Sequence, residues 1–92
     1  MIKIEDQSVD GGWLVYILRC ADNSLYTGIT NNLEKRMSAH ASGTASKYTR
    51  SRRPVALVAA SGSLDKVSAM RLEIQIKKTP RDRKIDALST FG

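Results

Sequence analysis

At 92 residues and 41% hydrophobic, the chain has the size of one small domain with a real but thin core. It holds no run of about 18 apolar residues, which excludes a membrane-spanning helix. A lone cysteine, Cys20, excludes an internal disulfide or a thiolate metal site and suits a reduced cytoplasmic setting, while 15 Lys+Arg against 9 Asp+Glu, a formal charge of +6, favours a polyanionic partner.

Residues 1–12, "MIKIEDQSVDGG", carry acids and no apolar h-region, so they do not read as a signal peptide. They read as a flexible leader closing on Gly11-Gly12, and 13–92 as a single domain. Residues 13–20, "WLVYILRC", are apolar on both faces and suit a strand covered on both sides, with Cys20 a small core residue at its end. "ADNS" at 21–24 is a turn cluster, and "LYTGIT" at 25–30 returns as the second strand of an antiparallel hairpin. Asn31 opens a helix, with Glu34 three residues on in the manner of a capping box. Leu33, Met37 and Ala41 share one face of it, and Gly43 ends it. Residues 43–53, "GTASKYTRSRR", have no apolar period and read as an exposed basic loop. Pro54 precedes a third strand, "VALVAA" at 55–60, and Ser61-Gly62-Ser63 breaks the chain. A helix over 65–78 follows, on which Val67, Met70, Ile74 and Lys77 recur at helical spacing. Thr79 as N-cap, Pro80 and Asp82 start a last helix with Ile85 and Leu88 as its apolar stripe. The order β-β-α-β-α-α predicts an α/β (α+β) fold: a small three-stranded antiparallel sheet flanked by helices.

The chain lacks a Gly-rich phosphate loop, a Cys/His cluster and a GxSxG elbow. His40 is its only histidine. Tyr16 and Tyr26 lie on the two hairpin strands, either as core aromatics or as a facing pair. Pairing Ala21 with Ser24 would put them on opposite faces, so a shared site requires an odd-length turn or a bulge. Gly28, on the face of Tyr26, marks a bulge, a close approach by ligand or backbone, or packing against the following helix. Arg36 and His40, four apart, share a helix face, either as phosphate clamp and proton relay or as a solvated surface. Lys47, Arg50, Arg52 and Arg53 with Tyr48 among them offer charges for phosphates and a ring for a base, or form a solubilising loop. Glu73, beside an apolar stripe, needs a cationic partner or a metal.

"LVY" at 14–16, "YTG" at 26–28, Arg36 in "TNNLEKRMSAH" and Glu73 in "AMRLEIQIKK" resemble the GIY-YIG nuclease family. "YTGIT", the Arg-xxx-His helix, "KYTRSRRPV" and the lysine pair after Glu73 are similar to its small standalone bacterial members. The resemblance runs from Trp13 to about Lys78. It implies an endonuclease that hydrolyses phosphodiester bonds in nucleic acid, DNA ahead of RNA, with one Mg²⁺ or Mn²⁺. It also implies the roles: Tyr16 and Tyr26 as active-site hydroxyls, Arg36 as the phosphate-stabilising cation, Glu73 as the metal ligand. His40 falls where other members carry tyrosine or histidine, and either it or a tyrosine takes the proton from water. Leu14, Val15 and Thr27 depart from the family tripeptides, and no asparagine follows Asn32. The alternative is a weak or inactive basic nucleic-acid-binding module on the same fold. No membrane association and no obligate protein partner follow from the sequence.

Overall fold

In a computed structural model of the protein, which describes residues 12–89, the hairpin turns through three residues. The Cys20 N–H donates to Ser24 O (2.9 Å) and the Asn23 N–H to Cys20 O (2.8 Å). Asn23 takes the left-handed conformation, φ 70°, that closes such a loop. Ala21, Asp22 and Asn23 thus remain unpaired, and the odd count fixes the register: Tyr16 opposes Gly28 and Leu18 opposes Tyr26. Both tyrosines therefore point to the same side of the sheet, as a shared site requires.

The elements follow as β1 (Leu14–Arg19), β2 (Leu25–Thr30), α1 (Leu33–Ser42), α2 (Lys47–Arg50), β3 (Ala56–Ala60), α3 (Lys66–Lys78), a 3₁₀ turn (Arg81–Arg83) and α4 (Lys84–Ser89). The sheet is antiparallel with β1 in the centre, in the order β2-β1-β3. A register shift between Ile17 and Leu18 leaves Val58 as an extra residue on β3, where it packs on the core. Trp13 extends the centre by a bridge to Leu64.

One sheet face is apolar. Val15 and Ile17 meet Ala69, Leu72 and Ile76 of α3 and Leu88 of α4, and all of these are buried. Burial at about 25 cal/mol per Å² makes this layer the main source of stability. The opposite face carries Tyr16, Leu18, Tyr26 and Gly28, with His40 of α1 and Thr49 of α2 against Tyr16 and its neighbours.

Four local expectations need correction. The cap of α1 is Asn32, whose side chain accepts from the Lys35 N–H; Asn31 stands one residue outside. Segment 43–53 is not a plain loop, because Ser46 caps the helical turn α2 and Thr49 within it is fully buried. Thr79 ends α3 rather than starting the last helix, and Pro80 with Asp82 leads into the 3₁₀ turn before α4. On α3 the buried stripe is Ala69, Leu72 and Ile76, while Val67, Met70 and Ile74 are 57%, 46% and 53% exposed. The proposed leader lies outside the described residues, apart from the exposed Gly12.

Candidate active site

The site starts from a missing side chain. A Cβ on Gly28 would stand 2.6 Å from the Tyr16 hydroxyl and 2.8 Å from its Cζ, distances real Cβ atoms do not reach. Glycine there lets the Tyr16 ring lie flat across the neighbouring strand. The ring is 1% exposed, and its hydroxyl lies 2.8 Å from His40 Nε2. His40 is fully buried, and its other nitrogen, Nδ1, lies 2.8 Å from Thr49 Oγ1. Tyr26 sits beside both, with ring centroids 6.4 Å from Tyr16 and 5.3 Å from His40. Tyr48 adds an outer tier, stacked at 6.0 Å on Tyr26.

Burial pushes the Tyr16 hydroxyl well above the ordinary tyrosine range, and the charges of Tyr26 and Glu73 push the same way against Arg36. Burial, aided by Arg36, pushes His40 below the ordinary histidine value. Both groups are thus neutral at neutral pH: a phenol that keeps its proton against an imidazole free to accept one. The charges of Arg36 and Glu73 act on the Tyr16 hydroxyl in opposite directions, both more weakly than its burial. Arg36 is exposed, and its guanidinium makes no hydrogen bond or ion pair among the described residues. It lines a cleft of about 320 Å³ with Thr30, Asn32, Lys35 and Thr44.

A family model of the GIY-YIG catalytic domain matches residues 12–86. The chain belongs to the GIY-YIG family. It is similar to the UPF0213 protein of Nitratidesulfovibrio vulgaris, 43% identical over 90% of this chain and 76% of that protein. It is also similar to that of Clostridium perfringens, 51% identical over 83% of this chain and 82% of the other. The solution NMR structure of a UPF0213 protein from Bacillus halodurans is 43% identical and covers 87% of this chain and 85% of that one, with a TM-score of 0.52. The three-stranded antiparallel sheet flanked by helices thus matches the fold of that UPF0213 structure.

In GIY-YIG terms, the tyrosine of "LVY" and the glycine of "YTG" are cross-strand partners in contact. The nucleases of the family generally depend on a divalent metal. Among the described residues no three His, Cys, Asp or Glu side chains cluster, so a many-ligand cage of zinc type is ruled out there. A hard divalent ion fits better, because Mg²⁺ takes one or two carboxylates and completes its shell with water and phosphate. Glu73 has the right chemistry: its side chain is 21% exposed, and its ion partner at 3.3 Å, Lys77, is itself 56% exposed, so water screens the pair.

The basic segment divides in two. Arg52 Nε donates to Asp22 Oδ2 (2.9 Å), its Nη1 donates to Tyr48 O (2.9 Å), and its guanidinium lies 3.8 Å over the Tyr48 ring. The Ser24 hydroxyl and N–H, then Arg52, hold the Asp22 carboxyl below the usual range. Arg53 donates to the carbonyls of Arg50 (3.0 Å) and Ala41 (3.2 Å). These two arginines tie the segment to the hairpin tip and to the end of α1. Lys47 and Arg50 are exposed, with side chains that bond no described residue. Tyr48, expected as a platform for a base, already engages Tyr26 and Arg52. Sequence reasoning missed Thr49 altogether; its one signal is the Ser46 cap three residues before it, which makes the segment helical.

Proposed function

We propose that the protein is a divalent-metal-dependent endonuclease that hydrolyses phosphodiester bonds in nucleic acid, DNA ahead of RNA. The observation that carries this reading is the Tyr16–His40 pair at 2.8 Å, with Tyr26 beside it and the charges of Arg36 and Glu73 acting on Tyr16.

Hydrolysis needs a water oxygen to attack phosphorus in line while its proton leaves. Tyr16 on its own is a poor base, since burial raises its affinity for its proton. His40 removes that obstacle. As the Tyr16 oxygen takes a proton from water, its own passes to His40 Nε2, so no free phenolate forms. Arg36, with its planar fork uncommitted, holds a non-bridging phosphate oxygen as negative charge gathers. Glu73 is the residue to hold the metal, which when bound neutralises charge on the phosphate and the leaving oxygen. Tyr26 closes the site beside His40 and presents a second hydroxyl. Lys47 and Arg50 supply phosphate contacts outside the reacting group.

The test is nicking of labelled single-stranded, duplex and branched DNA, and RNA, with Mg²⁺, Mn²⁺ or chelator. Glu73→Gln keeps the shape and removes the charge, so cutting should drop by at least about two orders of magnitude with binding retained. A folded Glu73→Gln protein that cuts at the wild-type rate removes Glu73 as metal ligand. The second reading, a binding module without cutting, has in its favour that neither α3 nor α4 carries an asparagine. It is upheld if the wild type binds DNA and cuts with neither ion.

A further inference from the structure

Within the cutting reaction proposed above, His40 has to accept the Tyr16 proton at Nε2, and that requires its other nitrogen to carry the ring proton. Nothing in α1 enforces this choice. The group facing Nδ1 is Thr49 of α2, 2.8 Å away and fully buried. The Thr49 hydroxyl is itself held by Ser46, with Ser46 Oγ at 3.1 Å and the Ser46 carbonyl at 3.4 Å. A carbonyl oxygen can only accept, so the Thr49 hydroxyl has an acceptor for its proton on the side away from His40. With the Tyr16 hydroxyl, which keeps its proton, donating to Nε2 and the Thr49 proton turned toward Ser46, a Thr49 lone pair faces Nδ1–H.

We propose that Thr49 is a positioning residue that holds His40 in the Nδ1-protonated tautomer, leaving Nε2 as the acceptor for the Tyr16 hydroxyl. The hydrogen-bonded line then runs one way, from Tyr16 to His40 to Thr49 to Ser46. Ser46 also accepts from the Thr49 N–H at 3.1 Å, so one residue both caps α2 and ends the line. The short helical turn in the basic segment thereby acquires a reason. It carries a neutral hydroxyl into a buried place beside the histidine, where an exposed loop would leave Nδ1 to water.

The experiment uses the whole chain without a histidine tag. His40 is then the only histidine, and its two ring nitrogens can be read by ¹⁵N NMR with no assignment problem. In the wild type above the histidine titration, Nδ1 should show the shift of a protonated nitrogen and Nε2 that of an unprotonated one. Thr49→Val keeps the shape and removes the hydroxyl, so the two shifts should move toward each other or exchange. The nicking kcat should fall by about tenfold or more, the scale of one lost hydrogen bond, with KM little changed. Thr49→Ser should restore both the shifts and the rate. A wild type with Nε2 protonated, or a Thr49→Val protein with wild-type shifts, overturns the proposal. A wild type that shows the expected shifts but never cuts upholds Thr49's hold on His40 and removes the nuclease reading instead.

Discussion

The two faces of one strand solve opposite problems. Val15 and Ile17 look toward α3 and α4, where aliphatic side chains meet without a polar atom to satisfy. Tyr16, between them in sequence, looks the other way into a buried line of hydroxyl and imidazole groups. On the first face the gain is proportional to area, and a residue of similar shape is exchangeable. On the second face each buried polar atom depends on one named partner, and removing a partner leaves the other unsatisfied. Stability should therefore reside mainly on one side of the sheet and the Tyr16–His40 proton line on the other.

The sharpest way to break that contrast is a pair of adjacent substitutions. Tyr16→Phe should lower nicking by at least about two orders of magnitude, the usual span for a group that moves a proton. Ile17→Val, one residue on, should cost about 0.5–1.5 kcal/mol in urea unfolding and leave the turnover of the folded protein unchanged. If Ile17→Val silences cutting while Tyr16→Phe does not, the division of labour is wrong.

Gly28→Ala should be felt on both counts. The added methyl would overlap the Tyr16 hydroxyl, and a ring 1% exposed has little room to retreat. Overpacking of this kind costs about 1–3 kcal/mol. The same shift should lengthen the Tyr16–His40 contact, so activity should fall at temperatures where the protein stays folded. Denaturant melts and nicking rates on one preparation check both effects.

Acid should strike the polar face first. His40 titrates below its ordinary value of 6.5 in the folded protein, so between those two values the unfolded chain binds more protons than the folded one. Stability from this group is present above about pH 6.5 and is lost as pH falls through the window beneath it. His40→Gln should flatten that part of the stability–pH curve. The acid limb of kcat/KM should lie below pH 6.5 for the same reason. An acid limb above that value would mean that another group controls the rate.

The smallest expected effects separate the two halves of the basic segment. Lys47→Ala and Arg50→Ala should each reduce the salt slope of DNA binding by about one unit without changing the melting temperature. Arg52→Ala and Arg53→Ala should lower stability instead, because their guanidinium groups hold Asp22, Tyr48, Arg50 and Ala41.

Much of this arrangement was legible in the residues. The hairpin, the strand limits and the basic character of the segment before Pro54 all followed from local chemistry; the strand glycine announced a special position, but what approaches it is the Tyr16 side chain and not a ligand or backbone. The face of α3 did not, for a specific reason. Val67, Met70 and Ile74 have the same helical spacing as Ala69, Leu72 and Ile76, so periodicity supports two apolar stripes equally. Packing against Val15 and Ile17 decided between them, and small Ala69, the weaker hydrophobe, went inside. Thr49 was hidden for a different reason: a threonine amid lysine and arginine looks solvated until the fold brings it to His40. Arg52 likewise reads as a free cation until Asp22, thirty residues earlier, is seen 2.9 Å away.

The three-residue turn also limits how this gene can change length. One codon inserted or deleted between Cys20 and Ser24 turns β2 over relative to β1 wherever the turn keeps its three residues, because the pairing then slips by one. Leu25, Thr27 and Ile29 would then face His40, while Tyr26 would be driven under α3. Two inserted codons restore the alternation. If the turn resists lengthening, viable length variants at this tip should differ by even numbers of residues, a pattern that deep insertion scanning would reveal as alternating survival and loss; even tolerance of every length would show that the loop absorbs insertions and that packing alone sets the register.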